Sequence, residues 1–200
     1  MRRISLLLAF LALLSGSPAA AQEADLEAML ADRVLGDPAA PVTIIAYESL
    51  TCPHCAAFHR ETFDALKERY IDSGQVKLIY RDFPLNAPAL RASMLARCTD
   101  ERRFYGMLEV LFRTQEQWAK DHDVVGALGR LGKLAGLSDE AIEACMTNEA
   151  LLDGIVRIRR DGEQAGVSST PTFIINDQIY AGNRSLDEFA RILDPLLPSN

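Results

Sequence analysis

The motif Cys52-Pro53-His54-Cys55 places two thiols close together in the chain, where they can cycle between a dithiol and a disulfide. An apolar run at residues 42–47 precedes the motif and favours a buried strand. Apolar and aromatic residues follow it at helical spacing, which favours a helix that begins at the first cysteine. The start of a helix has unpaired N–H groups, which stabilise negative charge on a sulfur placed there. The pattern therefore predicts thiol–disulfide exchange.

The residues of the motif have different expected roles. Cys52 is expected to cap the helix, and Pro53 suits the first helical position because that position needs no hydrogen-bonding N–H. The N–H groups of His54 and Cys55 then point back at the first sulfur, so we expect a lowered pKa at Cys52. A protonated His54 side chain would add to this effect; the alternative is an exposed side chain without an electronic role.

Residues 1–21 have the composition of an export signal. They combine a basic start at Arg2 and Arg3, an apolar stretch and a run of alanines suited to cleavage. The alternative, an N-terminal membrane anchor, is disfavoured because the apolar stretch is short. Cleavage would remove Arg2 and Arg3 and no acidic residue, which moves the net charge from −7 to −9. An acidic surface argues against nucleic acid or anionic lipid as a partner.

Export changes the meaning of the other two cysteines, Cys98 and Cys145, because disulfides persist in an oxidising compartment. Four cysteines allow several pairings, but the spacing of Cys52 and Cys55 makes these two natural partners and leaves Cys98 with Cys145. The alternative is that the distant cysteines are separate buried thiols. A zinc site with four thiolates is disfavoured because it usually requires a second pair of cysteines close together in the sequence, and Cys98 and Cys145 are far apart. We therefore expect no metal and no cofactor.

The first half of the chain alternates helical and strand patterns. Residues 22–35 favour a short amphipathic helix, and the apolar run at 42–47 favours the first strong strand. A second strand is predicted at residues 76–80, after a turn. Residues 88–165 then predict one helix after another, with glycines between them.

The last part of the chain predicts a hairpin and a final helix. Asn176 and Asp177 tolerate the positive φ of a tight turn, so they are expected to join strands at 172–175 and 178–181. Ser185 with Glu188 has the pattern of a capping box that begins the last helix. The predicted order is strand, helix, strand, helical insertion, hairpin and helix.

With these elements in this order, the chain resembles the DsbA family of thiol:disulfide oxidoreductases, and most closely its alphaproteobacterial branch, which carries a second disulfide. The resemblance rests on these motifs: Gly36-Asp37-Pro38, Pro41-Val42-Thr43-Ile44, Ser49-Leu50-Thr51-Cys52-Pro53-His54-Cys55, Cys98 with Cys145, and Gly166-Val167-Ser168-Ser169-Thr170-Pro171-Thr172-Phe173.

The resemblance implies an α/β fold, namely a thioredoxin-like fold with an inserted all-helical subdomain. The implied divisions after the signal are an N-terminal short helix and linker at 22–40, a first thioredoxin-like part at 41–87, the helical insertion at 88–165 and a second thioredoxin-like part at 166–200.

It also implies roles for individual residues. Cys52 would form a mixed disulfide with the substrate, and Cys55 would resolve it. Pro171 would follow a cis peptide bond beside the active site and expose a backbone edge to the substrate, although most X–Pro bonds are trans. Thr170 would face Cys52 and influence specificity and redox poise. The alternative for Thr170 is an ordinary residue at the start of a strand.

One residue departs from the family pattern. Relatives usually carry a buried acid, the proton acceptor for Cys55, at the position that Ala46 occupies here. Glu48 lies on the same face of the predicted strand and is a candidate for that role. The alternative is a solvated surface carboxylate, which is the usual environment of glutamate.

The family resemblance implies a monomeric periplasmic oxidase. It would donate its disulfide to reduced, newly exported proteins with unpaired cysteines, and a DsbB-like quinone oxidoreductase of the membrane would recharge it. An isomerase or reductase that is kept reduced is the first alternative. It is disfavoured because the stretch from Gln22 to Pro41 is too short for the dimerisation module of known isomerases. A redox-inactive secreted binding domain is the second alternative.

Overall fold

The computed structural model describes residues 25–198 of the chain, and the predicted signal segment at 1–21 lies outside this range. The described part contains a five-stranded sheet in the order β1-β3-β2-β4-β5. Its strands are Arg33–Leu35 (β1), Val42–Glu48 (β2), Val76–Asp82 (β3), Thr172–Ile175 (β4) and Gln178–Ala181 (β5). β2 and β3 are parallel, and the other neighbouring pairs are antiparallel.

Helices cover both sides of this sheet and fill the chain between β3 and β4. Before that insertion lie residues 25–30 (α1), Pro53–Glu61 (α2) and Phe63–Leu66 (α3), which continues as a π-helix at Lys67–Ile71. The insertion comprises Ala87–Arg97 (α4), Glu101–Arg113 (α5), Gln115–Ala119 (α6), Val124–Leu134 (α7), Asp139–Met146 (α8) and Glu149–Gln164 (α9). The last α-helix is Leu186–Leu193 (α10), which continues into a 3-10 helix at Asp194–Leu196.

The central strand β2 is fully buried on one face and partly buried on the other, which explains its nearly continuous apolar sequence. Alternate residues of a strand point to opposite faces, and one face of β2 carries Val42, Ile44, Ala46 and Glu48, all buried. This face packs into the same core as the buried side of α2. The strand therefore carries a glutamate into the core at the end that lies next to the cysteine motif.

The predicted hairpin and the predicted capping box are both confirmed. Asn176 and Asp177 have φ values of 48° and 61° and connect β4 to β5. The Ser185 hydroxyl accepts from the N–H of Glu188, and the Glu188 carboxylate accepts from the N–H of Ser185. Both features depend on residues close together in the chain.

The helix predicted for residues 22–35 is wrong in its second half. Helix is present at residues 25–30, residues 22–24 lie outside the described range, and Arg33–Leu35 forms a strand that pairs with β3. The carbonyl oxygen of Arg33 accepts a hydrogen bond from the Tyr105 hydroxyl at 2.7 Å, and the Arg33 guanidinium lies over the Phe104 ring. The contacts with α5 and the pairing with strand β3 stabilise a strand at these residues more than the local apolar pattern stabilises a helix.

Cys98 and Cys145 form a disulfide in the structure. Cys98 caps the C-terminus of α4, and Cys145 lies in α8, so the bond joins two helices of the insertion. The two cysteines are therefore neither separate thiols nor ligands of a zinc ion in this structure.

Removal of this disulfide by Cys98→Ala together with Cys145→Ala is expected to lower the free energy of unfolding by about 4 kcal/mol. The bond closes a loop with a sequence separation of 47, and in the chain-entropy model a closed loop of that length restricts the unfolded chain by about this amount. Urea denaturation of both proteins, with Cys52 and Cys55 in the same redox state, measures the difference. An unchanged midpoint, with matching circular dichroism before unfolding, would show that the bond contributes nothing to stability.

Candidate active site

The first cysteine of the motif lies at the start of α2. Cys52 is the N-cap residue, with extended backbone angles, and Pro53 occupies the first helical position. Proline there costs no hydrogen bond, and its fixed φ suits the helix. Cys52 is 5% exposed, Cys55 is fully buried, and the side chains of Pro53 and His54 face solvent. The exposed flank of the motif is therefore the side from which another protein can reach the Cys52 sulfur.

The pKa of the Cys52 thiol is lowered to about 5, and the largest cause is the hydrogen bond from the Cys55 thiol. Smaller contributions come from Thr170 and from the backbone N–H groups of Cys55 and His54, while burial acts in the opposite direction. The helix start thus contributes as predicted, but a neighbouring thiol contributes more. Cys52 is therefore a thiolate at neutral pH in the reduced protein.

The second cysteine has the opposite electrostatics. The pKa of the Cys55 thiol is raised well above its ordinary value, mainly by burial, then by its hydrogen bond to Cys52 and by the charge of Glu48. In the reduced protein Cys55 therefore keeps its proton and donates it toward the Cys52 sulfur. The reduced pair of cysteines therefore carries one negative charge, and this charge lies on the Cys52 sulfur.

The segment before β4 lies against Cys52. The peptide bond between Thr170 and Pro171 is cis, and the Cys52 sulfur is 3.3 Å from the carbonyl oxygen of Thr170. The buried hydroxyl of Thr170 is not engaged by any other group among residues 25–198, which leaves it available to the Cys52 thiolate, whose pKa it helps to lower. The fold therefore brings both predicted substrate-binding residues, Thr170 and Pro171, to the cysteine motif.

Glu48 is 1% exposed, so the alternative of a solvated carboxylate is wrong. Glu48 is the last residue of β2, so its side chain keeps the alternation of the strand and points into the core. Its Oε2 atom is 3.0 Å from Nε2 of His59, which is also buried. The sequence suggested no partner for His59. The sequence feature that could have indicated a role for His59 near the site is its position one helical turn after Cys55, on the same side of α2.

A second residue that the sequence did not reveal is Gln115 in α6. Its buried side-chain amide donates to the carbonyl oxygens of Leu50 and Cys52, at 2.9 and 3.0 Å. The helical insertion therefore fixes the backbone of the loop that carries the reactive cysteine. No local pattern could have indicated this contact, because Gln115 is far from the motif in the chain.

No group of histidine, cysteine or carboxylate side chains between residues 25 and 198 is arranged to hold a metal ion. In the same range, no helix is long and apolar enough to cross a membrane.

Comparison with known proteins agrees with this geometry. The thioredoxin family model matches residues 29–195. A Rickettsia typhi protein designated a protein-disulfide oxidoreductase is 30% identical over 168 residues, which cover 83% of this chain and 62% of that protein. The chain thus spans about three fifths of the length of the curated relatives from Rickettsia that it matches.

Two solved structures have closely similar folds. Alpha-DsbA1 of Wolbachia pipientis is 32% identical, with a TM-score of 0.77 over 82% of this chain and 90% of that one. Oxidised BdbD of Bacillus subtilis, at 22% identity, shows the same fold with a TM-score of 0.75 over 82% and 92% of the two chains. The chain belongs to the thioredoxin family and, within it, to the DsbA proteins. The predicted fold class is confirmed.

Titration of the reduced protein is expected to show a thiolate at Cys52 that forms with a midpoint near pH 5. In the Cys55→Ala variant this midpoint should rise, because the largest stabilising hydrogen bond is lost. Thiolate absorbance in the ultraviolet measures both values, and Cys52→Ser supplies the baseline. An ordinary midpoint near pH 8.5 in the parent protein would contradict the geometry of the site.

The lowered pKa also predicts how the stability of the reduced protein changes with pH. Because the folded pKa of Cys52 lies below that of the unfolded chain, its stabilisation is full above the unfolded pKa and is lost as the pH falls through about 5. The unfolding midpoint of the reduced parent should therefore decline more from pH 8 to pH 5 than that of Cys52→Ser. Equal declines in the two proteins would contradict the prediction.

Proposed function

We propose that the protein is a thiol:disulfide oxidoreductase that donates its Cys52–Cys55 disulfide to newly exported proteins. The observation that carries the proposal is the contrast between a Cys52 thiol with a pKa of about 5 and a Cys55 thiol whose pKa is raised. A stabilised thiolate favours the reduced form of the pair, so the disulfide form oxidises other dithiols. A low-pKa thiol is also a good leaving group.

The reaction consists of two exchange steps. A substrate thiolate attacks the Cys52 sulfur, the Cys52–Cys55 bond breaks, and the electron pair goes to Cys55, which takes up a proton. A second substrate thiolate then attacks the substrate sulfur in the mixed disulfide, and Cys52 leaves as a thiolate. Attack at Cys52 is favoured because Cys55 is fully buried and because Cys52 lies beside the exposed Pro53 and His54. The substrate ends with a disulfide, and the protein ends as a dithiol with Cys52 ionised.

Thr170 and Pro171 are the proposed substrate-binding residues. The Thr170 carbonyl lies next to the Cys52 sulfur, so a substrate chain that reaches this sulfur must pass the cis peptide bond. Thr170 also contributes to the low pKa of Cys52, which couples substrate contact to redox poise. In this proposal Glu48 is the proton acceptor of Cys55 when Cys55 attacks a mixed disulfide at Cys52, and it returns the proton when the Cys52–Cys55 bond is broken; its burial and the effect of its charge on that thiol support this role.

The proposed location is the periplasm, reached through a cleavable signal at residues 1–21. The Cys98–Cys145 disulfide supports this location, since such bonds persist in oxidising compartments. A DsbB-like quinone oxidoreductase of the membrane is the proposed partner that reoxidises the reduced protein. We further propose that the protein acts as a monomer without metal or cofactor.

The proposal is tested by equilibrating the protein with glutathione buffers and by following oxidation of a reduced peptide with two cysteines. We expect a potential more oxidising than about −200 mV and stoichiometric oxidation of the peptide. Cys52→Ser should reduce the rate to background, and Cys55→Ala should accumulate a mixed disulfide between Cys52 and glutathione in buffers that contain oxidised glutathione, because the second cysteine that would displace the glutathione is missing. The Cys98→Ala/Cys145→Ala variant is the matched control, because it loses two cysteines and should remain an oxidant.

Two results would overturn the proposal. A potential near that of thioredoxin, about −270 mV, together with faster rearrangement of a scrambled substrate than oxidation of a reduced one, would indicate an isomerase or reductase. Absence of exchange by a correctly folded parent protein would indicate a structural disulfide in a binding domain.

A further inference from the structure

A buried histidine–carboxylate pair lies beneath the reactive cysteines. Glu48 at the end of β2 and His59 in α2 are 1% and 5% exposed, and their side chains are 3.0 Å apart. A buried charge is costly unless it is paired and hydrogen-bonded, so this contact is the means by which Glu48 is tolerated in the core.

The positions of His59 in α2 and Glu48 in β2 place both side chains on the side of the core that Cys55 faces. Cys55 and His59 are one helical turn apart and share the buried side of α2. Glu48 belongs to the face of β2 that packs into the same core as that side. The charge of Glu48 is felt at the Cys55 thiol, whose pKa it helps to raise. The carboxylate is therefore near both the thiol and the imidazole.

The surroundings of the imidazole indicate which ring nitrogen carries the proton. The ring is stacked on Phe112 at 4.0 Å between centroids and is packed against Phe63 at 4.7 Å. Its Nδ1 atom is buried and has no hydrogen-bond partner among residues 25–198. A buried N–H without an acceptor is rarer and more costly than a buried lone pair without a donor. The favoured arrangement therefore has a proton on Nε2, which donates to the Glu48 carboxylate.

Other titratable groups face this pair from neighbouring elements. From β3 come Tyr80 and Asp82, whose register partners in β2 are Ala46 and Glu48. Arg97 of α4 donates to Asp82 in a buried ion pair, which compensates the charge of Asp82. Tyr105 of α5 donates its hydroxyl proton to carbonyl oxygens of β1 and β3. None of these described groups hydrogen-bonds to Glu48, so His59 is the donor that acts on its carboxylate.

We propose that His59 is a positioning residue that orients the Glu48 carboxylate as the base that receives the Cys55 proton. This inference rests on the proposed function and adds a residue to it. The step concerns the resolution of a mixed disulfide at Cys52. The Cys55 thiol passes its proton to the Glu48 carboxylate, directly or through one water. Cys55 then forms a bond to the Cys52 sulfur, and the bond from Cys52 to the external sulfur breaks, with the electron pair leaving on the external thiolate.

The experiment isolates that step. The protein is converted to a mixed disulfide between Cys52 and thionitrobenzoate, and release of coloured thionitrobenzoate by Cys55 is followed from pH 4 to 9. In His59→Phe, which keeps the ring packing but removes the donor, we expect release at pH 7 to be about tenfold slower and the pH profile to shift upward by about one unit. His59→Gln keeps an N–H near the position of Nε2 and should restore the rate to within about threefold of the parent.

Two further variants distinguish a positioning role from a structural one. Glu48→Gln removes the base and should slow release at pH 7 by about a hundredfold. Addition of His59→Phe to Glu48→Gln should then have no further effect, because His59 acts through Glu48. His122→Phe is the matched control, since the His122 side chain is 99% exposed, and it should leave the profile unchanged.

The outcomes separate this inference from the proposed function. If the parent protein forms the mixed disulfide and resolves it, but His59→Phe has the parent pH profile, the role of His59 is refuted while the proposed function stands. If the parent protein oxidises no dithiol, the proposed function itself fails. Nitrogen NMR of the histidine ring supplies a test that needs no variant. Protonation of Nδ1 instead of Nε2 in the folded protein at pH 7 would overturn the inference.

Discussion

The activity proposed for this protein depends on the stabilisation of one negative charge on the sulfur of Cys52. Donors from two separate parts of the chain converge on that sulfur: the thiol of Cys55 and the N–H groups at the start of α2, and the residue before a cis proline, Thr170. Burial opposes this stabilisation, and the donors outweigh it. Because the same burial raises the pKa of Cys55, the two thiols differ although they lie one turn apart.

The helical insertion takes part in the construction of this site. Its α6 supplies Gln115, whose amide holds the carbonyl groups of Leu50 and Cys52, and its α4 supplies Arg97, which pairs with Asp82 in the core of the sheet. A disulfide between α4 and α8 restrains the insertion. The loop that presents the reactive sulfur is therefore fixed from outside the sheet as well as from within it.

The position of the buried acid in β2 differs from the family pattern. Glu48 lies two residues beyond Ala46, where relatives usually carry the acid, and two residues along a strand return the side chain to the same face. The carboxylate moves toward the end of β2 as a result. There it meets His59, which lies one turn beyond Cys55 in α2. Glu48 thus has a buried hydrogen-bond partner in the core.

The sequence alone determined the features that depend on neighbouring residues. The proline after Cys52 at the helix start, the hairpin at Asn176 and Asp177, and the capping box at Ser185 are set by local backbone preferences. Family resemblance added the fold class and the place of Thr170.

Tertiary structure decided what local preference could not. It turned Arg33–Leu35 into a strand, brought Gln115 to the cysteine loop and paired His59 with Glu48. It also made the Cys55 thiol the leading influence on Cys52. Each of these outcomes depends on contacts between distant segments or on burial, and both exist only after the chain has folded.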